Sequence, residues 1–326
     1  MPLPQLARYA DTIRYDAEHG LALALDWRAY PSETALTRYA NAEAIVQAIG
    51  LGVVRHTAAA YLACYGLALV AREWAIRPSD ARRGALIQAS ELLRHTSPVN
   101  PRLNQLLDQA LAHADAATLA GEDAEAALMG LVQAEISRAD RVAERCGRIA
   151  AGLLDEGDQV LTHGFAGPAL LWMLHIALAE QAKTITLAVL AAPTPDDDAR
   201  LCAELAREIG LTVMQLESPA GQRAFEPAPA IFVAGAERIA LDGATAGGPG
   251  AGRYAQLARR HGLPCYVLGG DGPDPTANTF LASSDVMPPE LISAIITSRG
   301  IYRPEMIARY LGDGDAPLDV IPLSLG

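Results

Sequence analysis

Two short stretches of this 326-residue chain hold the side chains best suited to work on a small molecule. One is Gly235-Ala236-Glu237-Arg238, which follows an apolar, β-branched run, Ala230-Ile231-Phe232-Val233-Ala234. Such a run reads as a buried strand. Parallel sheets bind ligands at the carboxyl ends of their strands, which is where Glu237 falls. The other is Thr162-His163-Gly164-Phe165-Ala166-Gly167, lying between a second apolar run and a helical pattern. Its glycines let backbone approach a ligand, and the helix start beyond them offers unpaired N–H groups to an anion. Each stretch also has a plain structural reading. Glu237 then becomes a solvated or capping turn residue, and the glycines become formers of a tight turn.

Other polar residues are weaker candidates. Arg55-His56 stands just before an apolar helical segment that begins at Thr57. The helix dipole does not favour a cation there, so the pair reads either as a ligand contact or as a surface Arg-His. Asp196-Asp197-Asp198 opens a helix, and capping with dipole compensation accounts for it. Pro288-Pro289-Glu290 reads as the start of a helix over Leu291 to Ile296. His175 lies on an apolar helix and reads as a satisfied core histidine, and Cys265, inside a strand, reads as inert. The four cysteines are scattered, with no pair at metal-ligand spacing, which predicts a reduced, cytoplasmic chain without bound metal. The loop Gly247-Gly248-Pro249-Gly250-Ala251-Gly252 lies well after its strand and lacks a placed G-x-G-x-x-G, so no nicotinamide or flavin cofactor is expected.

The elements that must position these residues change character along the chain. Thr12 to Trp27 reads as a β-hairpin. Helical patterns follow at Ala42 to Ile49, Thr57 to Ala71, Arg82 to Leu93, Leu103 to Ala114 and Ala124 to Leu154. After Gly157-Asp158, short strands alternate with helices about every 25 residues, the signature of a doubly wound parallel sheet. The expected fold is therefore α/β: a smaller, mostly helical N-terminal domain over residues 1–140 and a Rossmann-like domain over residues 141–326. Hydrophobic residues make up 51% and charged residues 20%, which argues for packed structure over disorder. A formal charge of -12 disfavours nucleic acid and anionic membranes as partners. The N-terminus carries Arg8, Asp11, Arg14 and Asp16, so no secretory signal is expected.

Several segments together resemble the methylthioribose-1-phosphate isomerase family, which also takes in the alpha, beta and delta subunits of initiation factor 2B. Thr12-Ile13-Arg14-Tyr15 through Leu25-Asp26 is similar to its opening hairpin, and Val53-Val54-Arg55 to its Val-Val-Arg segment. Gly157-Asp158 through Gly167 is similar to its strand and turn, and Gly235-Ala236-Glu237-Arg238-Ile239-Ala240 to its Gly-Ala-Asp-Arg-Ile-Ala. Pro289 through Thr297, with Arg303-Pro304, resembles its C-terminal element. The resemblance places Glu237 where the family has its catalytic aspartate; His163, beside the position of the family's cysteine, is the candidate partner in proton transfer. The resemblance also places Arg55, His56, Arg200, Gly247, Gly248 and the turn Gly164-Phe165-Ala166-Gly167 around a pentose-like sugar or sugar phosphate, in a pocket between the two domains. It also implies a homodimer.

Departures from the pattern fall on the chemistry. The isomerases have a cysteine where this chain has Gly164, an aspartate where it has Glu237, and Asn-Lys where it has Gly247-Gly248. Their Gln-Gly-Ala-Arg becomes Asp197-Asp198-Ala199-Arg200, and Gly-Ala-Pro becomes His56-Thr57-Ala58. Aldose–ketose interconversion needs a matched acid and base, and misplacing a group by about 1 Å costs on the order of a hundredfold. The expectation is a diverged member that does not run the ordinary methylthioribose-1-phosphate reaction. The alternative is a non-catalytic regulatory or metabolite-sensing relative.

Overall fold

The short apolar runs of the second half of the chain assemble into one seven-stranded sheet. The computed structural model describes residues 3–97, 100–191, 198–216, 231–280 and 285–311. Asp196, Asp197 and the first residue of the run at Ala230 lie outside the described residues. The chain divides into two compact units, Arg8–Arg138 and Met1–Ala7 with Ala139–Gly326. The N-terminal seven residues thus group with the sheet unit, where the Trp172 indole N–H donates a buried hydrogen bond to the Ala7 carbonyl at 3.1 Å.

In the helical unit a one-turn helix α1 (Tyr9–Thr12) leads into β1 (Ile13–Asp16) and β2 (Leu21–Leu25), paired as an antiparallel hairpin. A third strand, β3 (Leu36–Tyr39), pairs on the other edge of β2. This strand has no counterpart in the sequence reading, because four residues without alternation carry no strand period. The helices are α2 (Ala42–Gly50), α3 (His56–Glu73), α4 (Ser79–Thr96), α5 (Pro101–Ala120) and α6 (Ala124–Ala151). Helix α3 is buried without a break from Ala58 to Ala71, the pattern of a helix apolar on every face and enclosed by others. Asn41 and Asn100 cap α2 and α5 by accepting from the Ala44 and Leu103 N–H groups at 2.9 and 3.1 Å. The division between the units falls inside α6.

The sheet unit runs β4 (Gln159–His163), α7 (Pro168–His175), β5 (Thr186–Leu190), α8 (Asp198–Ile209), β6 (Thr212–Leu216) and β7 (Ile231–Gly235). Two short strands follow, β8 (Arg238–Ile239) and β9 (Thr245–Ala246), then α9 (Ala251–Arg260) and β10 (Cys265–Gly270). The last strands are β11 (Val286–Met287), β12 (Ala294–Thr297) and β13 (Gly300–Tyr302). The main sheet is ordered β13-β12-β10-β7-β4-β5-β6, and β8, β9 and β11 form a separate small sheet. Among the described residues, only β13 runs antiparallel in the main sheet. From β4 the chain winds one way through β5 and β6, then returns to place β7 on the other side of β4. The reversal makes the β4/β7 pair the topological switch point.

One expected element is overturned. Leu291 to Ile296 forms no helix: a single 3-10 turn, Pro289–Leu291, leads into the parallel strand β12. All four residues of β12 are buried, and a short strand covered on both faces shows no alternation to distinguish it from a helix. The prolines mark the turn that feeds it.

Candidate functional site

Strand β4 ends on His163 and β7 on Gly235, so the two turns singled out from the sequence both leave the carboxyl edge of the sheet at the switch point. They are in direct contact. A Cβ added at Gly235 would stand 2.8 Å from the Ala166 Cα and 2.9 Å from its carbonyl oxygen. Only glycine allows that approach. Gly167, at φ +84, turns the chain into α7, with Pro168 at its first helical position. The Gly164 N–H donates to the Leu190 carbonyl at 3.0 Å, fixing the first turn to the end of β5.

The glycine loop closes over the same edge. A Cβ on Gly247 would lie 2.8 Å from that of Ala251 and 3.2 Å from the Gly235 carbonyl oxygen, whereas one on Gly248 would meet nothing within 4 Å. The loop is pinned by Asp285: its backbone carbonyl accepts from the Gly247 N–H at 2.9 Å, and its carboxylate accepts from the Gly250 N–H at 2.8 Å. That carboxylate stands where the first turn of α9 presents its unpaired N–H groups. The Tyr254 hydroxyl, one turn into α9, donates to the Ala191 carbonyl at 2.9 Å.

His163 lies beneath this rim, 8% exposed, with its ring 4.8 Å from that of Tyr254. Its imidazole hydrogen-bonds to the backbone of Pro249; proline has no N–H, so the carbonyl accepts and the ring donates. The Nε2 atom is enclosed and has no hydrogen-bond partner among the described residues, which leaves Nδ1 as the donor. Burial pulls the histidine down from its ordinary 6.5 to about 4, against the opposing pull of Asp198, the Pro249 bond and Asp285. The ring is neutral at physiological pH.

Asp198 is the group that the sequence reading passed over. It begins α8, half-buried, and its Cβ is 3.9 Å from where a Cβ would stand on Gly164. Capping of α8 explained it adequately in sequence, and no local signal announces its neighbours. Arg200, two residues on, donates through Nη1 to the Glu204 carboxylate at 3.0 and 2.8 Å along its own helix. Glu237 is exposed, and its N–H donates to the Ala246 carbonyl at 2.9 Å. Phe165 is half-buried and Ala166 buried. His163, Gly164, Phe165, Ala166, Gly167, Gly247, Gly248 and Asp198 therefore gather at one end of the sheet, with Glu237 leaving β7 at the same edge.

Arg55 and His56 belong to the helical unit. The Arg55 Nε donates to the Gly52 carbonyl at 3.2 Å, and His56 is exposed with its ring 5.9 Å from Trp27. Its φ of +53 is the left-handed region, sparsely used by non-glycine residues.

His175 departs from expectation. It is half-buried, and its Nδ1 finds no hydrogen-bond partner among the described residues, so it is not a satisfied core histidine. The aromatic edge of Trp172 lies against it, with 6.3 Å between ring centroids. All four cysteines are buried free thiols, each pushed up to about 12 by burial. No thiolate nucleophile exists near neutral pH.

A doubly wound parallel sheet with glycine turns at its switch point places the chain among the open α/β sheets, whose ligand crevices in general lie at the carboxyl ends of the strands. Residues 54–270 match the model of the initiation factor 2 subunit family, and the chain belongs to that family. The methylthioribose-1-phosphate isomerase of Syntrophotalea carbinolica is 28% identical, over 88% of this chain and 95% of its own length. That of Geobacillus thermodenitrificans is 29% identical over 73% and 78%. In fold, the chain is similar to 5-methylthioribose 1-phosphate isomerase from Pyrococcus horikoshii, with TM-score 0.71, 24% identity and coverage of 92% and 94%. It is also similar to the delta subunit of translation initiation factor eIF-2B from A. fulgidus, with TM-score 0.64, 24% identity and coverage of 90% and 96%.

Proposed function

We propose that the switch-point site binds a pentose-like sugar or sugar phosphate and moves a proton on it, without running the ordinary methylthioribose-1-phosphate reaction. The observation that carries this reading is a neutral, enclosed imidazole among acidic groups at the switch point, in a chain whose thiols are all buried and protonated. In such a transfer, a carboxylate takes a proton from the carbon beside a carbonyl and returns it to the neighbouring carbon. The hydroxyl on the first of these carbons passes its proton to the carbonyl oxygen in the same conversion, and a hydrogen-bond acceptor holds that hydroxyl in place. Glu237 is assigned the carboxylate role and His163 the second, as a neutral group and not as a cationic acid. Arg55, His56 and Arg200 are assigned to ligand contacts. A cytoplasmic homodimer completes the reading, and light scattering of the purified chain tests the dimer.

The test is a panel of pentose, deoxypentose and methylthiopentose phosphates with their unphosphorylated sugars. Turnover is expected with at least one, and Glu237→Gln is expected to lower it by about a hundredfold or more. If no compound is turned over and none raises the melting temperature, the reading fails. One observation favours a second reading, that of a metabolite sensor: Glu237 is exposed, whereas catalytic carboxylates gain their strength in water-excluded sites. A compound that raises the melting temperature without being consumed selects it.

A further inference from the structure

Glu237 leaves the sheet on a turn that has little regular structure to hold it. Its side chain is exposed, so no core packing fixes it. The strand that follows, β8, is two residues long and lies at the edge of the small sheet, with Arg238 opposite Ala246 and Ile239 opposite Thr245. A ladder this short contributes little by itself. Where the carboxylate stands is therefore set by what holds the backbone on either side. On one side the Glu237 N–H donates to the Ala246 carbonyl at 2.9 Å.

On the other side Arg238 is built into a clamp. Its Nε and Nη2 both donate to Oδ2 of Asp274, at 3.2 and 2.8 Å. The second oxygen of that carboxylate, Oδ1, accepts from the Thr276 N–H at 2.8 Å and from the Thr276 hydroxyl at 2.6 Å. Asp274 is thus oriented by its own turn before the guanidinium reaches it. The guanidinium carbon also lies 5.1 Å from the centroid of the Phe280 ring, within cation–π range. That ring packs on the buried Ala240, Ala244 and Ala277. Backbone bonds tie the same segment to the chain after Glu237: the Asp274 N–H donates to the Ile239 carbonyl and the Leu241 N–H to the Ala277 carbonyl, both at 2.8 Å. A surface ion pair contributes little when both partners are free to wander. Here the side chains of Arg238 and Asp274 are 36% and 25% exposed, and both are held from a second direction.

We propose that Arg238 is a positioning residue for Glu237: clamped to Asp274 and Phe280, it fixes the turn that carries the carboxylate, and with it the place from which the carboxylate meets a ligand. The assignment rests on the proton-transfer reading above and deepens it. A shift of about 1 Å in a reacting group costs on the order of a hundredfold in rate, so a clamp on the neighbouring residue bears directly on the chemistry.

Two variants of the full chain test it. Arg238→Met keeps the stem over Phe280 and removes the donors, and Arg238→Lys restores the charge. In hydrogen exchange read by mass spectrometry, the amides of Glu237 to Ile239 are expected to exchange at least about tenfold faster in Arg238→Met, with those of β4 and β5 unchanged. For each pentose or methylthiopentose phosphate that the unaltered chain turns over, kcat is expected to fall by about tenfold or more in Arg238→Met while KM stays within about twofold. Arg238→Lys should recover part of both losses. Asp274→Asn, which keeps the shape and removes the charge, is read in the same way if Arg238→Met fails to fold. Unchanged exchange at Glu237 overturns the proposal, as does faster exchange with unchanged kcat, and both leave the proton-transfer reading standing. If the unaltered chain turns over no compound, that reading fails and the positioning role fails with it.

Discussion

Lowering the pH probes the least ordinary group in the site. His163 has its titration moved from 6.5 to about 4, chiefly by burial. The native ring therefore stays neutral where the ring of the unfolded chain takes up a proton. Between pH 6.5 and 4 the unfolded state binds more protons, so this residue makes the protein less stable as pH falls through that window. One shifted proton over this range amounts to about 2 kcal/mol lost between pH 7 and pH 5, and about 3 kcal/mol at full protonation. His163→Gln removes the titration, so the stability difference between the two proteins should change by about that amount over those two pH units. Nuclear magnetic resonance gives the direct reading: the Cε1 proton of His163, assigned as the signal missing from the variant, should hold its chemical shift down to about pH 5. A signal titrating near 6.5, or a stability difference flat with pH, refutes both the burial argument and the assignment of a neutral imidazole.

Two substitutions test the backbone contacts of the rim. Gly235→Ala drives a methyl group into the Ala166 backbone, 2.8 Å from its Cα, and is expected to cost about 1–3 kcal/mol in thermal unfolding while weakening ligand binding; an unchanged melting temperature would mean that the turns are not in contact. Gly248→Lys enters open space, so stability should hold within about 0.5 kcal/mol. The added cation should improve the binding of ribitol 5-phosphate by about tenfold in calorimetry.

What could be read in the sequence follows from where the physical signal is local. Strands β4, β5, β7 and β10 stand out because each is a short apolar run closed by glycine, proline or a polar turn. Glu237 could be placed at a strand end for the same reason. Strand β12 reads as helix in the sequence because Ala294-Ile295-Ile296-Thr297, buried on both faces, has no period, while the preceding prolines imitate a helix start. Asp198 was legible only as a capping residue. Its position opposite Gly164 depends on how α8 docks beside β4, a contact set by tertiary packing and written nowhere in the residues around it.

The contest of forces on His163 is decided by burial. Two carboxylates and a hydrogen-bonded carbonyl all favour the protonated ring, yet the ring falls to about 4 because loss of hydration outweighs the three together. An environment poor enough in water to do that also strengthens any hydrogen bond made within it, and penalises any charge left unmatched. The same burial silences the imidazole as a base near neutral pH.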